Sequence, residues 1–485
     1  MTDRSPRPAR PPRTGPQRGA GRLLLRPLLL AASLALAAGC ASTVRVGEAP
    51  AARQPAQPEQ WRAAADLAAG HVGLSGQARV DNARRIDQLL AALDDATLAR
   101  EAAALPPGDP LYAFAGRALR SRGLALPRPF DAGTIWSLDA RAPAEADGYR
   151  PPERVALLLP LSGEAARAAA PVRDGFLAGY YGETRRRPQV SFHDTTAAGP
   201  VAAYQRAIAE GADFVVGPLN REDVAAVFRS GSLPVPMLAL NRAQDAPPAG
   251  HASFSLSPED EGIAAAEYIL QRGHRRALML VGSDDGLRRS ANAFRRHFEE
   301  RGGSIAATLA VGEDPAALAP QLQAAAAPGA DPAAQPVDAI FMALRGDRAH
   351  GLAPQLSMAG LAGRLKVATS QLSSGTGNAR DDRLLDGIVF PTETWSVRGL
   401  AGLPAAASLG ERLPTARGAA ARLFAFGYDA WLLTAYPELA EGALEGRLRG
   451  ATGTLSLDAV GNVQRAPTWS TFRDGRPVPL ADAGG

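Results

Sequence analysis

The chain has 485 residues, 53 basic and 49 acidic side chains, and a single cysteine, Cys40. One thiol cannot close an internal disulfide, and no second Cys or neighbouring His accompanies it to make a metal site. The formal charge of +4 is concentrated at the start: residues 1–39 hold seven arginines and one aspartate, which leaves 46 basic against 48 acidic groups in the rest. Net basicity therefore gives no argument for a nucleic-acid partner, and none is expected.

Arg4, Arg7, Arg10, Arg13, Arg18, Arg22 and Arg26 precede an apolar run from Leu28 to Ala38, closed by Gly39 and Cys40. A charged leader, a short apolar stretch and a small-residue cleavage site make an export signal. The run has roughly a dozen residues, where a membrane-spanning helix needs about 20. With cysteine at the cleavage position, residues 1–39 resemble a bacterial lipoprotein signal, which implies lipidation of Cys40 and a membrane attachment through that lipid. The leader departs from the usual pattern at Ala37, where leucine is common; Leu36 stands one step earlier. Ala41 and Ser42 follow the cysteine instead of aspartate, so the resemblance implies the outer membrane, facing the periplasm.

Residues 40–60 are rich in Ala, Pro and Gln and read as a flexible tether. Residues 61–126 read as a short helical region of three or so helices. Ile86, Leu89, Leu90, Leu93 and Leu98 recur at three- and four-residue steps, and Pro106-Pro107-Gly108-Asp109 interrupts them. A span this short holds fewer helix-hairpin repeats than the roughly three a solenoid needs, so it leans on a neighbour. Residues 127–152, rich in Pro and Ala around Trp136, read as a linker.

From 153 to 485 strands and helices alternate. The predicted strands are 155–159, 189–194, 213–217, 235–240, 276–281, 304–311, 338–344, 365–369 and 387–390. They are continuous apolar runs, as parallel strands covered on both faces require. The span exceeds one α/β core, so two lobes are expected.

VALLLPLSGEAARAAAPVRDGFLAGYY resembles the opening strand, turn and helix of a type I periplasmic-binding-protein fold. DFVVGPLNRED, PVPMLALNR and SPEDEGIAAAEYILQRGHRRALMLV continue the likeness. VATSQLSSGTGNARDDRLLDGIVFPTETW, FAFGYDAWLL and GATGTLSLDAVGNVQR are more specific: with them, residues 150–480 resemble the LpoA (YraM) family of outer-membrane lipoproteins. The resemblance implies an α/β fold of two discontinuous lobes behind a short all-α segment. Lobe 1 would hold about 153–257 and 372–440, and lobe 2 about 258–371 and 441–485. It further implies activation of a class A penicillin-binding protein, the synthase that polymerises and crosslinks peptidoglycan.

In such open sheets the carboxyl ends of strands line the crevice between lobes. The residues falling there are Ser162 and Gly163, Gly217 before Pro218, Asn241 and Arg242, Ser370 and Gln371, and Thr394 with Trp395. Each also has a structural reading: Ser162 as a helix cap, Gly217 as a turn, Trp395 as a plug between lobes. No set of them spells out a ligand. Gly175, inside a predicted helix, costs about 1 kcal/mol against alanine, which points to a close approach by another segment.

Catalytic signatures are missing. The six histidines (His71, His193, His251, His274, His297, His350) have no paired spacing. Gly363 stands three places before the one lysine, Lys366, so there is no S-x-x-K, and no G-x-S-x-G occurs. His193-Asp194 reads as an acid–base pair or, more simply, a structural hydrogen bond. No cofactor, metal or catalytic residue is expected. An interaction protein, a receptor for an amino acid or similar solute, and an unrecognised hydrolase remain as function classes, in that order.

Overall fold

The structure is a computed structural model that describes residues 57–131, 133, 135–327, 336–374, 378–444 and 446–481, within one compact unit starting at Gln57. Cys40, the leader and most of the tether lie outside the described residues.

Four helices come first: α1 (Glu59–His71), α2 (Gly76–Ala91), α3 (Asp95–Ala104) and α4 (Tyr112–Ser121). Trp61, Ile86, Leu90, Leu98, Phe114 and Leu119 form their shared core. Asp94 caps α3 by accepting from Thr97 N at 2.9 Å, leaving one fewer helix-end donor unsatisfied. Residue Val460, far along the chain, completes this core.

The segment read as a linker is packed. Ile135, Trp136, Leu138 and Tyr149 belong to the core of the first lobe. The Glu441 carboxylate accepts from the backbone of Gly133, Ile135 and Trp136, and Arg150 pairs with Glu438 at 2.6 Å. Its Pro and Ala content removes helix and strand periodicity without removing the aromatic side chains that bury it.

Lobe 1 begins with β1 (Arg154–Leu159), α5 (Ala166–Gly182), β2 (Gln189–Asp194), α6 (Pro200–Ala209), β3 (Phe214–Val216), α7 (Arg221–Phe228), β4 (Met237–Ala239) and β5 (His251–Ser253). The strands run parallel in the order β2-β1-β3-β4-β5. β5, reading His-Ala-Ser, is too short and polar to stand out as an apolar run.

The chain then crosses to α8 (Pro258–Gln271), β6 (Arg276–Val281), α9 (Asp285–Glu300), β7 (Ser304–Ala310), α10 (Ala319–Ala326), β8 (Ala339–Ala343), α11 (Gly346–Met358), β9 (Leu365–Ala368), α12 (Ala379–Asp382) and β10 (Val389–Thr392). A second crossover leads through α13 (Thr394–Arg398) to α14 (Ala406–Arg412), α15 (Ala420–Ala435) and α16 (Pro437–Glu441) of lobe 1. β11 (Leu448–Arg449), β12 (Thr454–Leu457) and β13 (Val463–Ala466) form a small antiparallel sheet, and β14 (Thr468–Arg473) and β15 (Arg476–Pro479) return to lobe 2.

Two stretches depart from the expected lobe boundaries. The strand at 387–390, expected in lobe 1, is β10 of the second sheet, whose order is β15-β14-β10-β9-β8-β6-β7. Phe390 is fully buried there and its ring lies 5.1 Å from that of Phe472 on β14. Conversely, among the described residues of 441–485 only β14 and β15 join the lobe 2 sheet. Leu448, Leu455, Leu457 and Val463 of the small sheet pack into the lobe 1 core.

Glycines set how closely helices approach inside each lobe. A Cβ on Gly175 of α5 would stand 1.9 Å from Phe424 O, and one on Gly427 of α15 would stand 1.9 Å from Val172 O. Gly262 of α8 holds the same relation to Ser290 O of α9, at 2.1 Å. Gly175 is therefore the close approach its position in the helix implied.

Candidate functional site

Three crossovers join the lobes, and charged side chains cluster beside all of them. Asp260 and Glu261, in the first turn of α8, follow the first crossover. Glu393 lies in the second, and Arg465 on β13 precedes the third. Lobe 1 supplies Arg242, after β4, and Arg422, on α15.

Arg422 is the centre. It donates from Nη2 to Glu261 Oε1 at 2.5 Å and from Nη1 to Ser370 Oγ at 2.6 Å, and its Nε lies 3.2 Å from Glu393 Oε1. Ser370 in turn donates its backbone N–H and hydroxyl to the Glu261 carboxylate, at 2.9 and 2.7 Å. Arg242 pairs with Asp260 at 2.5 Å and donates to Val463 O at 2.9 Å. The Arg465 guanidinium bonds Thr452 O at 3.3 Å, within electrostatic reach of Glu261, Glu393 and Asp260.

Burial and attraction compete here, and the winner differs by residue. Burial opposes ionisation of Glu261, but Arg422, Arg465 and the Ser370 hydrogen bonds outweigh it and hold the carboxyl below its ordinary value. For Arg422, burial likewise opposes the charge, and Glu261 and Glu393 overcome it, so its pKa is raised. Asp260 goes the other way: burial exceeds the pull of Arg242 and raises it. Burial also lowers the pKa of Arg465. Asp260 Oδ2 and Arg465 Nε are buried with no hydrogen-bond partner among the described residues, so the pairing is close but not complete.

Beside this cluster the fully buried Asp429 of α15 accepts from Ala451 N, Thr452 N and Thr452 Oγ1, at 2.5, 2.8 and 2.5 Å. Burial pushes the carboxyl up to about 7 against those three donors. Gly450 makes the grip possible, since a Cβ there would stand 2.5 Å from Asp429 Oδ1. The GATG run is thus the clamp that holds the small sheet to α15.

The sequence-derived candidates divide. Arg242 and Ser370 belong to the charge cluster. Gln371 lines the cleft beside it, a space of about 490 Å³ bordered also by Glu261, Asp284, Arg345, Thr369 and Arg422. Arg345 there is paired with Asp284 through two contacts of 3.3 Å. Asn241 bonds Leu219 O and accepts from Arg242 N, shaping the turn after β4. Gly217, at φ 107° before a cis peptide to Pro218, lets the chain pass where a Cβ would meet Leu158 O at 2.1 Å.

The exposed Ser162 does not cap α5; its hydroxyl donates to Asp194 at 2.8 Å, beside Gly163 at φ 72°. Trp395 is 1 % exposed, donates its indole N–H to Pro404 O, and packs against Phe424, so it is a core plug. His193 meets Ser191 Oγ at 3.0 Å, whereas Asp194 accepts from the loops at Leu161 and Thr196. The two form no acid–base pair.

Among the described residues no cluster of His, Cys, Asp and Glu has the arrangement of a metal site, and no helix is long and apolar enough to cross a membrane. The cluster at the crossovers holds ionic groups in place and joins lobes.

Two α/β lobes joined by three crossovers define a periplasmic-binding-protein-like module, and the comparisons with known proteins agree. The family model described as "LppC putative lipoprotein" matches residues 148–475, and the chain belongs to this family. A Photobacterium profundum protein named penicillin-binding protein activator LpoA is 27% identical over 359 residues, covering 68% of this chain and 57% of the relative. A Mannheimia succiniciproducens protein of the same name is 28% identical over 340 residues, covering 67% and 55%. The chain thus spans about half the length of the curated relatives it matches. The structure of full-length LpoA from Haemophilus influenzae superposes with a TM-score of 0.60 at 21% identity, over 87% of this chain and 78% of that one. Its fold is the shared feature.

Proposed function

We propose that this chain is a lipid-anchored outer-membrane protein that binds and activates a class A penicillin-binding protein, promoting peptidoglycan synthesis and crosslinking. On this reading it is a regulator and catalyses nothing itself. The relatives' common name supports the partner class. The observation that carries the reading is the cluster at the crossovers: the ionic groups bordering the cleft are engaged by one another, which favours a module that binds through its outer surface.

The physical logic is reach. Acylated Cys40 would fix one end to the outer membrane, the 40–60 segment would span part of the gap, and the folded module would meet a synthase held in the other membrane at raised effective concentration. Activation then requires tighter binding to the synthase's active conformation than to its inactive one. Mixing the purified full chain carrying Cys40→Ser with the cognate synthase should raise its rate of crosslink formation. An unchanged rate with no complex on sedimentation would overturn the proposal.

A solute receptor is the second reading. Ser290 Oγ and Thr369 Oγ1 border the cleft, buried and without hydrogen-bond partners among the described residues. A Chromobacterium violaceum structure described as "a putative branched-chain amino acid ABC transporter" is 27% identical, with a TM-score of 0.51 over 66% of this chain and 99% of that one. Calorimetric titration with free amino acids separates the two readings: heat of tight binding favours the receptor, and none favours the activator.

A further inference from the structure

The first and third crossovers are entered by two segments that run side by side. One is the loop from Pro247 through β5; the other is the hairpin from β12 through Gly461 to β13. Ser253 N donates to Gly461 O at 2.9 Å, and Ser253 and Asn462 form a parallel bridge. The contact is intimate: a Cβ on Gly461 would stand 2.6 Å from His251 O. Asp458 stiffens the hairpin tip by accepting from Val460 N, Asn462 N and Gln464 Nε2.

Arginines hold the hairpin at both ends. At the hinge end Arg242 bonds Val463 O and Asp260. At the far end Arg79 of α2, 8 % exposed, donates to Pro247 O and to Ala459 O, each at 3.3 Å. One guanidinium thus ties both entering segments to the helical bundle. Val460 seals the joint as a buried member of the bundle core. A groove of about 610 Å³ lies between the ends of α2 and α4 and those of α8 and α9.

We infer that the α1–α4 bundle is a brace on the interlobe hinge. By holding together the segments that enter the first and third crossovers, it restricts the movement of lobe 2 against lobe 1. A partner that draws α2 away from the hairpin therefore loosens the hinge, through β13 and the Arg465 it carries into the charge cluster. The device is independent of whether the module serves a synthase or a solute.

Spin labels on Glu222→Cys of α7 and Met358→Cys of α11, in the full chain with Cys40→Ser, report the distance between lobes. The unaltered hinge should give one narrow distribution. Arg79→Ala should broaden it or add a second population, and Arg79→Lys, whose single ammonium cannot span both carbonyls in the same way, should do so to a smaller degree. If Arg79→Ala does not fold, Arg79→Lys decides. A distribution unchanged by the Arg79 substitutions, while Arg242→Ala at the hinge end broadens it, would overturn the inference.

Discussion

The seam between α5 and α15 and the hinge between the lobes are both close contacts, built from opposite materials. In the seam, Gly175 and Gly427 bring backbone against backbone, with no side chain to rearrange. In the hinge, long charged side chains reach across and hold one another through ion pairs. Backbone packing resists any displacement, whereas ion pairs between flexible side chains allow alternative partners. The difference places backbone-to-backbone contacts inside the lobes and rearrangeable side-chain pairs between them.

Removing an anion from the hinge should have the largest effect. Glu261→Ala leaves the buried Arg465 and the part-buried Arg422 beside a lost partner, and breaking a buried pair this way costs about 3–5 kcal/mol. Urea unfolding of the variant measures it, and a loss below about 1 kcal/mol would show that the cluster is solvated or repairs itself.

Asp429 gives a pH signature of similar size. Its folded pKa, about 7, lies above the ordinary 3.8, so the folded state holds a proton that the unfolded chain has released between those values. Its contribution to stability is complete below 3.8, declines as pH rises, and is gone above about 7, at up to about 1.4 kcal/mol per pH unit. His251, depressed by burial to about 4, slopes the opposite way as pH rises toward 6.5. Subtracting the Asp429→Asn profile from that of the parent isolates the aspartate. Parallel profiles would contradict the assignment.

In the seam, Gly427→Ala should cost about 1–3 kcal/mol, because its Cβ must push Val172 away. A neutral substitution would mean that α5 and α15 slide past one another. At the small end, Arg288→Ala removes an exposed pair with Asp285 and should change stability by less than about 0.5 kcal/mol.

The strand–helix rhythm was legible because parallel strands bury both faces and leave unbroken apolar runs such as VALLL and RALMLV. The hinge was not. Asp260 and Glu261 look like ordinary acids favouring a helix N-terminus, and Arg465 looks like any polar residue on a short strand. Only the three crossovers bring residues from 242 to 465 to one place. Asp429 was not singled out either, although a lone carboxylate inside the apolar run FAFGYDAWLL is the kind of group that is buried only when it is satisfied. The 127–152 segment misled for a different reason: irregular backbone packs as firmly as helix when Trp136 and Tyr149 supply the buried surface.

A double-mutant cycle on Glu261→Gln and Arg422→Met by denaturant unfolding tests most directly whether the hinge is held by its own charges. Coupled partners give a double variant less destabilised than the sum of the single ones, by about 1 kcal/mol or more. Additivity within about 0.5 kcal/mol would show that the two side chains act independently and would contradict the account.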